Sequence, residues 1–258
     1  MKDWRRPVLL LLLLALPACR GAGSSTGSAP TAPTSTVSSI SINGPNIIFV
    51  GSSATYTASA SFSDGSTGVT VCAWTGDNDQ IARVDARTAS VTGLHSGEIT
   101  IACDADRAHG RRTVRVLPNY AGQWNGSYIV ERCEESDLPA ATFCGSFPRE
   151  RILPLTARLS QERDIVTGTF TLGTIEAQQT TGLVSVDGAL RMSIVHTGPA
   201  TFTISSNWTL NSERVGQISG TMLQTWSSTS GEGRVFSRIL TAAREARPLL
   251  ASLLTTND

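Results

Sequence analysis

The chain has 258 residues, with 21 basic and 21 acidic side chains, so its formal net charge is zero. That balance, with no basic stripe interleaved with aromatics, gives no electrostatic case for nucleic-acid binding, which rests on clustered Lys and Arg. The length accommodates two domains of ordinary size, each able to bury its own core.

Lys2, Arg5 and Arg6 precede an unbroken leucine run from Leu9 to Leu14, and Leu16-Pro17-Ala18-Cys19 follows. The apolar stretch from Val8 to Leu16 is too short to cross a hydrocarbon core of about 30 Å as a helix, and its flanks have the order of a cleaved export signal. Its last four residues resemble the lipobox of bacterial lipoprotein signals. The resemblance implies cleavage after residue 18, lipid attachment at Cys19, and a membrane anchor of several acyl chains, which holds where a single chain does not. Arg20 stands where an inner-membrane retention signal has Asp, so the resemblance further implies the outer membrane of a host that has one. An ordinary secretory signal, with Cys19 passed over, exports the chain as well. Residues 19–37 follow as a lipidated flexible linker. From Gly21 to Ser39 the chain is almost entirely Gly, Ser, Thr, Ala and Pro, with too little to bury to offset the entropy of folding.

Beyond Cys19 the cysteines are Cys72, Cys103, Cys133 and Cys144, an even set that favours two disulfides in an exported chain. Zinc fails on spacing, since there is no C-x-x-C and His95, His109 and His196 are scattered. Asp64, Asp77, Asp79 and Asp85 match no calcium loop. Neither a metal nor a cofactor is expected.

Residues 38–118 read as the first folded unit. Tyr56, Ala58, Ala60 and Phe62 alternate with polar neighbours, and Asp64-Gly65 turns the chain. Val50-Gly51-Ser52, Phe62-Ser63-Asp64-Gly65-Ser66, Ala73-Trp74, Ile81-Ala82-Arg83-Val84-Asp85, Val91-Thr92-Gly93 and Gly97-Glu98-Ile99-Thr100-Ile101 then follow in order. Together they resemble the bacterial Ig-like group 2 domain of intimin- and invasin-type surface proteins. The resemblance implies a β-sandwich of about seven strands. Thr75-Gly76-Asp77-Asn78 departs from the family's Ser-Ser-Asn turn. Trp74 reads as core. Cys72 shares its strand face, and Cys103 shares a face with Ile99 and Ile101, so a Cys72–Cys103 bridge is expected, worth roughly 3 to 4 kcal/mol on the chain-entropy model.

Residues 120–242 read as a second unit of eight strands, at about 122–131, 151–161, 164–173, 180–187, 189–196, 200–210, 214–226 and 231–241. Short turns link most of them, which favours an up-and-down meander, and closure into a barrel hides its two edges. Gly122-Gln123-Trp124 is similar to the G-x-W start of lipocalin-type barrels; on that likeness Arg234 or Arg238 would cover the Trp124 indole. The family's Thr-Asp-Tyr-type turn is absent. Gly168, Gly182 and Gly220 suit the bends a barrel needs. Trp124, Tyr128, Phe170, Met192, Trp208 and Trp226 are expected to point inward, as fillers or as the lining of a small-ligand cavity. Cys133 and Cys144 bracket the longest insertion and are expected to staple it at a rim, as a surface loop or as a lid.

No G-x-S-x-G elbow or H-E-x-x-H helix is present, and Glu134, Glu135 and Asp137 share one loop as solvated acids do. Residues 243–258 form a tail with no assigned role. The all-β reading therefore carries two functions. One is a non-enzymatic envelope lipoprotein, with an Ig-like spacer or adhesion module and a barrel that binds a hydrophobic small ligand or a surface protein or glycan. The other is an envelope hydrolase with its site at the barrel mouth.

Overall fold

A computed structural model describes residues 35–105, 107–138, 143–173, 175–176, 179–197 and 202–245. The export signal, Cys19, the linker through residue 34 and the tail from residue 246 lie outside them. The described chain is all-β, and residues from Ser35 onward cluster as one compact unit.

The first half contains ten short strands: β1 (Val37–Asn43), β2 (Ile47–Phe49), β3 (Ser53–Thr55), β4 (Thr57–Phe62), β5 (Thr67–Val69), β6 (Ala73–Gly76), β7 (Ala82–Val84), β8 (Ser90–Gly93), β9 (Gly97–Ala105) and β10 (Ala108–Leu117). They form three sheets, ordered β1-β4-β5, β3-β8-β7 and β2-β10-β9-β6. Two breaks account for two of the three strands beyond the expected seven. Gly44 (φ +155°) bends the chain where the Tyr56 ring packs so closely that a Cβ would lie 2.3 Å from it, which lets β2 leave β4 and run parallel to β10. Tyr56 interrupts the run from β3 to β4 and gives its N–H to Ala89 O (3.0 Å). With β3 and β4 taken as one broken strand, the sheets make two layers, compatible with an Ig-like sandwich. Tyr56, Trp74, Ile99, Ile101, Val114 and Val116 fill the space between them. Cys103 stands opposite Trp74 in register and is bridged to Cys72, with Cα atoms 5.2 Å apart.

The second half is a closed antiparallel barrel. Its strands are β11 (Gly122–Ser136), β12 (Ile152–Glu162), β13 (Ile165–Leu172), β15 (Thr180–Val184), β16 (Leu190–Thr197), β17 (Thr203–Arg214), β18 (Gln217–Ser228) and β19 (Gly231–Arg244), with the two-residue β14 (Ile175–Glu176) beside β13. Each pairs with the next in sequence, and β19 closes on β11. Tight curvature is possible because glycines stand at the points of closest approach. A Cβ at Gly168 or Gly220 would lie 2.1 Å from a carbonyl oxygen of the adjacent strand.

Pro118-Asn119-Tyr120-Ala121 is the whole connection between β10 and β11, and its side chains belong to both halves. Leu117 and Tyr120 are fully buried in the barrel's core, joined by the half-buried Ile47 and Phe49 of β2. The Tyr120 hydroxyl donates toward Gly188 O (2.7 Å) and Leu210 O (3.1 Å), and its carbonyl accepts the Trp124 indole N–H (2.8 Å). Burial pushes that hydroxyl well above the ordinary tyrosine pKa. Gln161 accepts the Tyr120 N–H (2.6 Å) and donates to Pro118 O (3.2 Å). Arg115 of β10 pairs with Asp164 in the β12–β13 turn at 2.9 Å.

The hydrogen bond from Arg115 holds the Asp164 carboxyl below the usual carboxylate range. A depressed folded-state pKa contributes stability that is fully present above the unfolded value of about 3.9 and is lost as pH falls through the folded value. Urea midpoints of the wild-type protein should therefore drop more steeply below pH 4 than those of Asp164→Asn, and parallel curves would show that the pair does not couple the halves.

Candidate functional site

Alternation along the barrel strands sends one set of side chains inward, and the structure brings the six residues singled out above inside. Trp124 is fully buried, and Phe170, Trp208 and Met192 are at most 3% exposed. The Phe170 ring stacks on Trp208 with centroids 4.4 Å apart, so large residues meet across the barrel instead of lining a space. These residues belong to the barrel's buried cluster, the arrangement of small barrels filled by their own side chains. Tyr128 belongs to the same cluster, and burial raises its hydroxyl pKa.

Trp226 is different. It lies nearer the mouth end of β18 and contacts the rings of Phe143 (5.8 Å), Phe147 (5.7 Å) and Phe202 (6.1 Å). Phe143 and Phe147 flank the 3-10 turn Cys144–Ser146, which the Cys133–Cys144 bridge ties to β11, with Cα atoms 5.6 Å apart. Gly233 makes room for this, since a Cβ there would come within 2.3 Å of the Phe143 ring. The expected staple is thus present, and it holds two aromatic rings over the barrel mouth. Residues 139–142 of the insertion lie outside the described set.

Beneath these rings runs a polar arc. Thr180, Ser206, Gln224 and Ser237 are the buried polar residues of the described chain, on β15, β17, β18 and β19. Ser206 stands opposite Gln224 in register, and Ser237 opposite Met222, one step below Gln224. Gln224 donates to Ser206 over a long 3.5 Å, while Ser237 Oγ and the indole N–H groups of Trp208 and Trp226 have no partner among the described residues. An unpaired buried donor costs about 1–3 kcal/mol, so this end of the barrel is built less for stability than the base.

Two acids of the insertion are engaged. Glu134 pairs with Arg132 (2.6 Å), and Glu135 accepts the Cys144 N–H (3.0 Å). Glu131 and Glu232 pair with Arg238 and Arg234, each at 2.6 Å. These two arginines therefore do not cover Trp124. Arg244 does, its guanidinium 4.8 Å from the ring centroid, because β19 runs on to Arg244 and its register sets that residue opposite Trp124. Among the described residues no group of three or more His, Cys, Asp or Glu is placed to hold a metal, and no helix is long and apolar enough to cross a membrane.

Phe143 and Phe147 carried no sequence signal, since loops have no periodicity. The polar arc was legible only as inward positions occupied by polar residues. Against known proteins, no family model and no curated protein matches the chain.

Replacing both Cys133 and Cys144 with Ser should lower stability by about 3 kcal/mol, the chain-entropy value for so short a loop, and should red-shift Trp226 emission as the phenylalanines leave it. Unchanged emission in the folded double variant would show that the rings are held without the staple.

Proposed function

We propose that this is an exported, lipid-tethered, non-enzymatic binding protein of the cell envelope, with the Ig-like half as spacer or adhesion module and the barrel mouth as the contact surface. The observation that carries the reading is the stapled mouth, where Phe143, Phe147, Phe202 and Trp226 touch one another above unpaired buried donors. Interfaces draw their energy from aromatic anchors held rigid before contact, and a disulfide-held loop supplies such anchors at low entropic cost. With the barrel's middle filled, a partner at the rim, whether surface protein or glycan, fits better than a small hydrophobic ligand carried inside. Glu134 and Glu135 of the insertion are engaged by Arg132 and the Cys144 N–H, which favours a binding reading of this loop over a hydrolytic one.

The wild-type protein should partition into detergent and the Cys19→Ser form should stay aqueous; equal partitioning would remove the tether from the proposal. The aqueous form, labelled and added to intact host cells, should bind saturably. Phe147→Ser should weaken that binding about tenfold, the cost of one hot-spot side chain, while Val71→Ser on the sandwich surface should not. Equal loss in both variants, or no saturable binding, would move the contact away from the mouth.

A further inference from the structure

At the opposite end of the barrel, the junction with the sandwich encloses a cleft of about 330 Å³. Its walls come from four turns, the connector and the end of β19, with Val50 from the β2–β3 turn and Arg244 from β19. Leu94, His95 and Ser96 lie between β8 and β9, Asp187 lies between β15 and β16, and Ser212 and Arg214 belong to the β17–β18 hairpin. The walls are in fixed contact, since a Cβ at Gly188 would lie 2.4 Å from Ser96 Oγ and 3.1 Å from Pro118. Cavities of about 300 Å³ and more at domain junctions are where small ligands bind.

The charges of the cleft do not cancel locally. Asp187 is already engaged. Its carboxylate accepts from the Ser185 hydroxyl and from the Ala189 N–H (3.2 Å) and lies 4.0 Å from Arg191, and these bonds, that of Ser185 first, hold it below the usual carboxylate range. Arg214, by contrast, enters no hydrogen bond or ion pair through its guanidinium among the described residues, although the hairpin that carries it forms one wall. His95 is held by its ring, with Nδ1–H donating to Gln80 O at 2.6 Å, while the Ser212 hydroxyl is spent on Arg214 O (3.1 Å); Ser96 and Asn119 add neutral donors around the same space. A preformed cleft with an uncommitted guanidinium and neutral donors, whose one acid is already engaged by Ser185, Ala189 and Arg191, suits an oxyanion, which a guanidinium binds through two parallel hydrogen bonds.

We propose that the sandwich–barrel cleft is a binding site for a small oxyanion, a carboxylate or a phosphate, with Arg214 as its charged anchor. This site is independent of the barrel mouth.

The full-length protein in detergent would be titrated calorimetrically with inorganic phosphate and, separately, with succinate, each against sodium chloride of equal ionic strength. Saturable heat with at least one of the two is expected, and the tighter one identifies the headgroup class. Arg214→Gln should weaken binding about tenfold or more, the usual loss for one charged hydrogen bond. Arg83→Gln, which removes the same charge from an exposed site on β7, should leave it unchanged. Arg214→Lys keeps the charge without the fork and should fall between wild type and Arg214→Gln. Heats no larger than those of chloride, or an equal affinity in Arg214→Gln, would overturn the proposal.

Discussion

The burial of Tyr120 at the base of the barrel is the constraint on which the rest depends. An eight-stranded barrel has two open ends, and at this one the chain closes the opening with its own entry segment. Tyr120 lies inside, bonded to the carbonyls of Gly188 and Leu210, and its own carbonyl takes the Trp124 indole N–H. Two large aromatics, each burying on the order of 150–250 Å², are thus committed where the halves meet. The four residues from Pro118 to Ala121 leave no slack between β10 and β11. A tether this short, with polar contacts from Gln161 and Arg115 on either side of it, makes the sandwich and the barrel one body instead of two domains on a hinge.

Much of this architecture was legible because period-two alternation records which side of a strand is dry. All eight barrel strands fall where the alternation of residues such as Phe202, Ile204, Ser206 and Trp208 set them, and both disulfides join the cysteines that shared faces or flanked a loop. What alternation does not record is register over long distances. Arg244 covers Trp124 because β19 extends past its apolar run, and no local pattern distinguishes Arg244 from Arg234 or Arg238 on the same strand. The weld is invisible for a related reason. Gln161 with Tyr120, and Arg115 with Asp164, are single polar contacts between segments more than forty residues apart, and such pairs leave no periodic trace. The break at Tyr56 went unread because Tyr56 is itself apolar and inward, so the alternation continues through the irregularity.

The two ends of the barrel are closed by different means, and the difference bears on where binding belongs. The base is sealed by residues that cannot leave without breaking the connection between the halves. The mouth is sealed by a loop excursion outside the strand ladder, held by one covalent bond and a few ring contacts. Paired polar groups accompany the first seal and unpaired ones the second: Tyr120 finds two carbonyls, whereas the Trp226 indole and the Ser237 hydroxyl find no partner among the described residues. Regions with fewer satisfied interactions are those whose local opening costs least, so motion and recognition concentrate there.

The rigidity of the base has its own consequence. Arg214 sits on a hairpin tip, where an unpaired side chain would ordinarily be a solvated surface charge of no account. Here the tip projects beside Leu94, His95 and Ser96 of the sandwich, so the exposed side chain stands at the edge of a cleft with two walls. Fixing both walls in advance removes the ordering cost that a hinged cleft would impose on each binding event. A contact made for stability at Tyr120 thereby preorganises a second surface some distance along the chain from any residue that stabilises it.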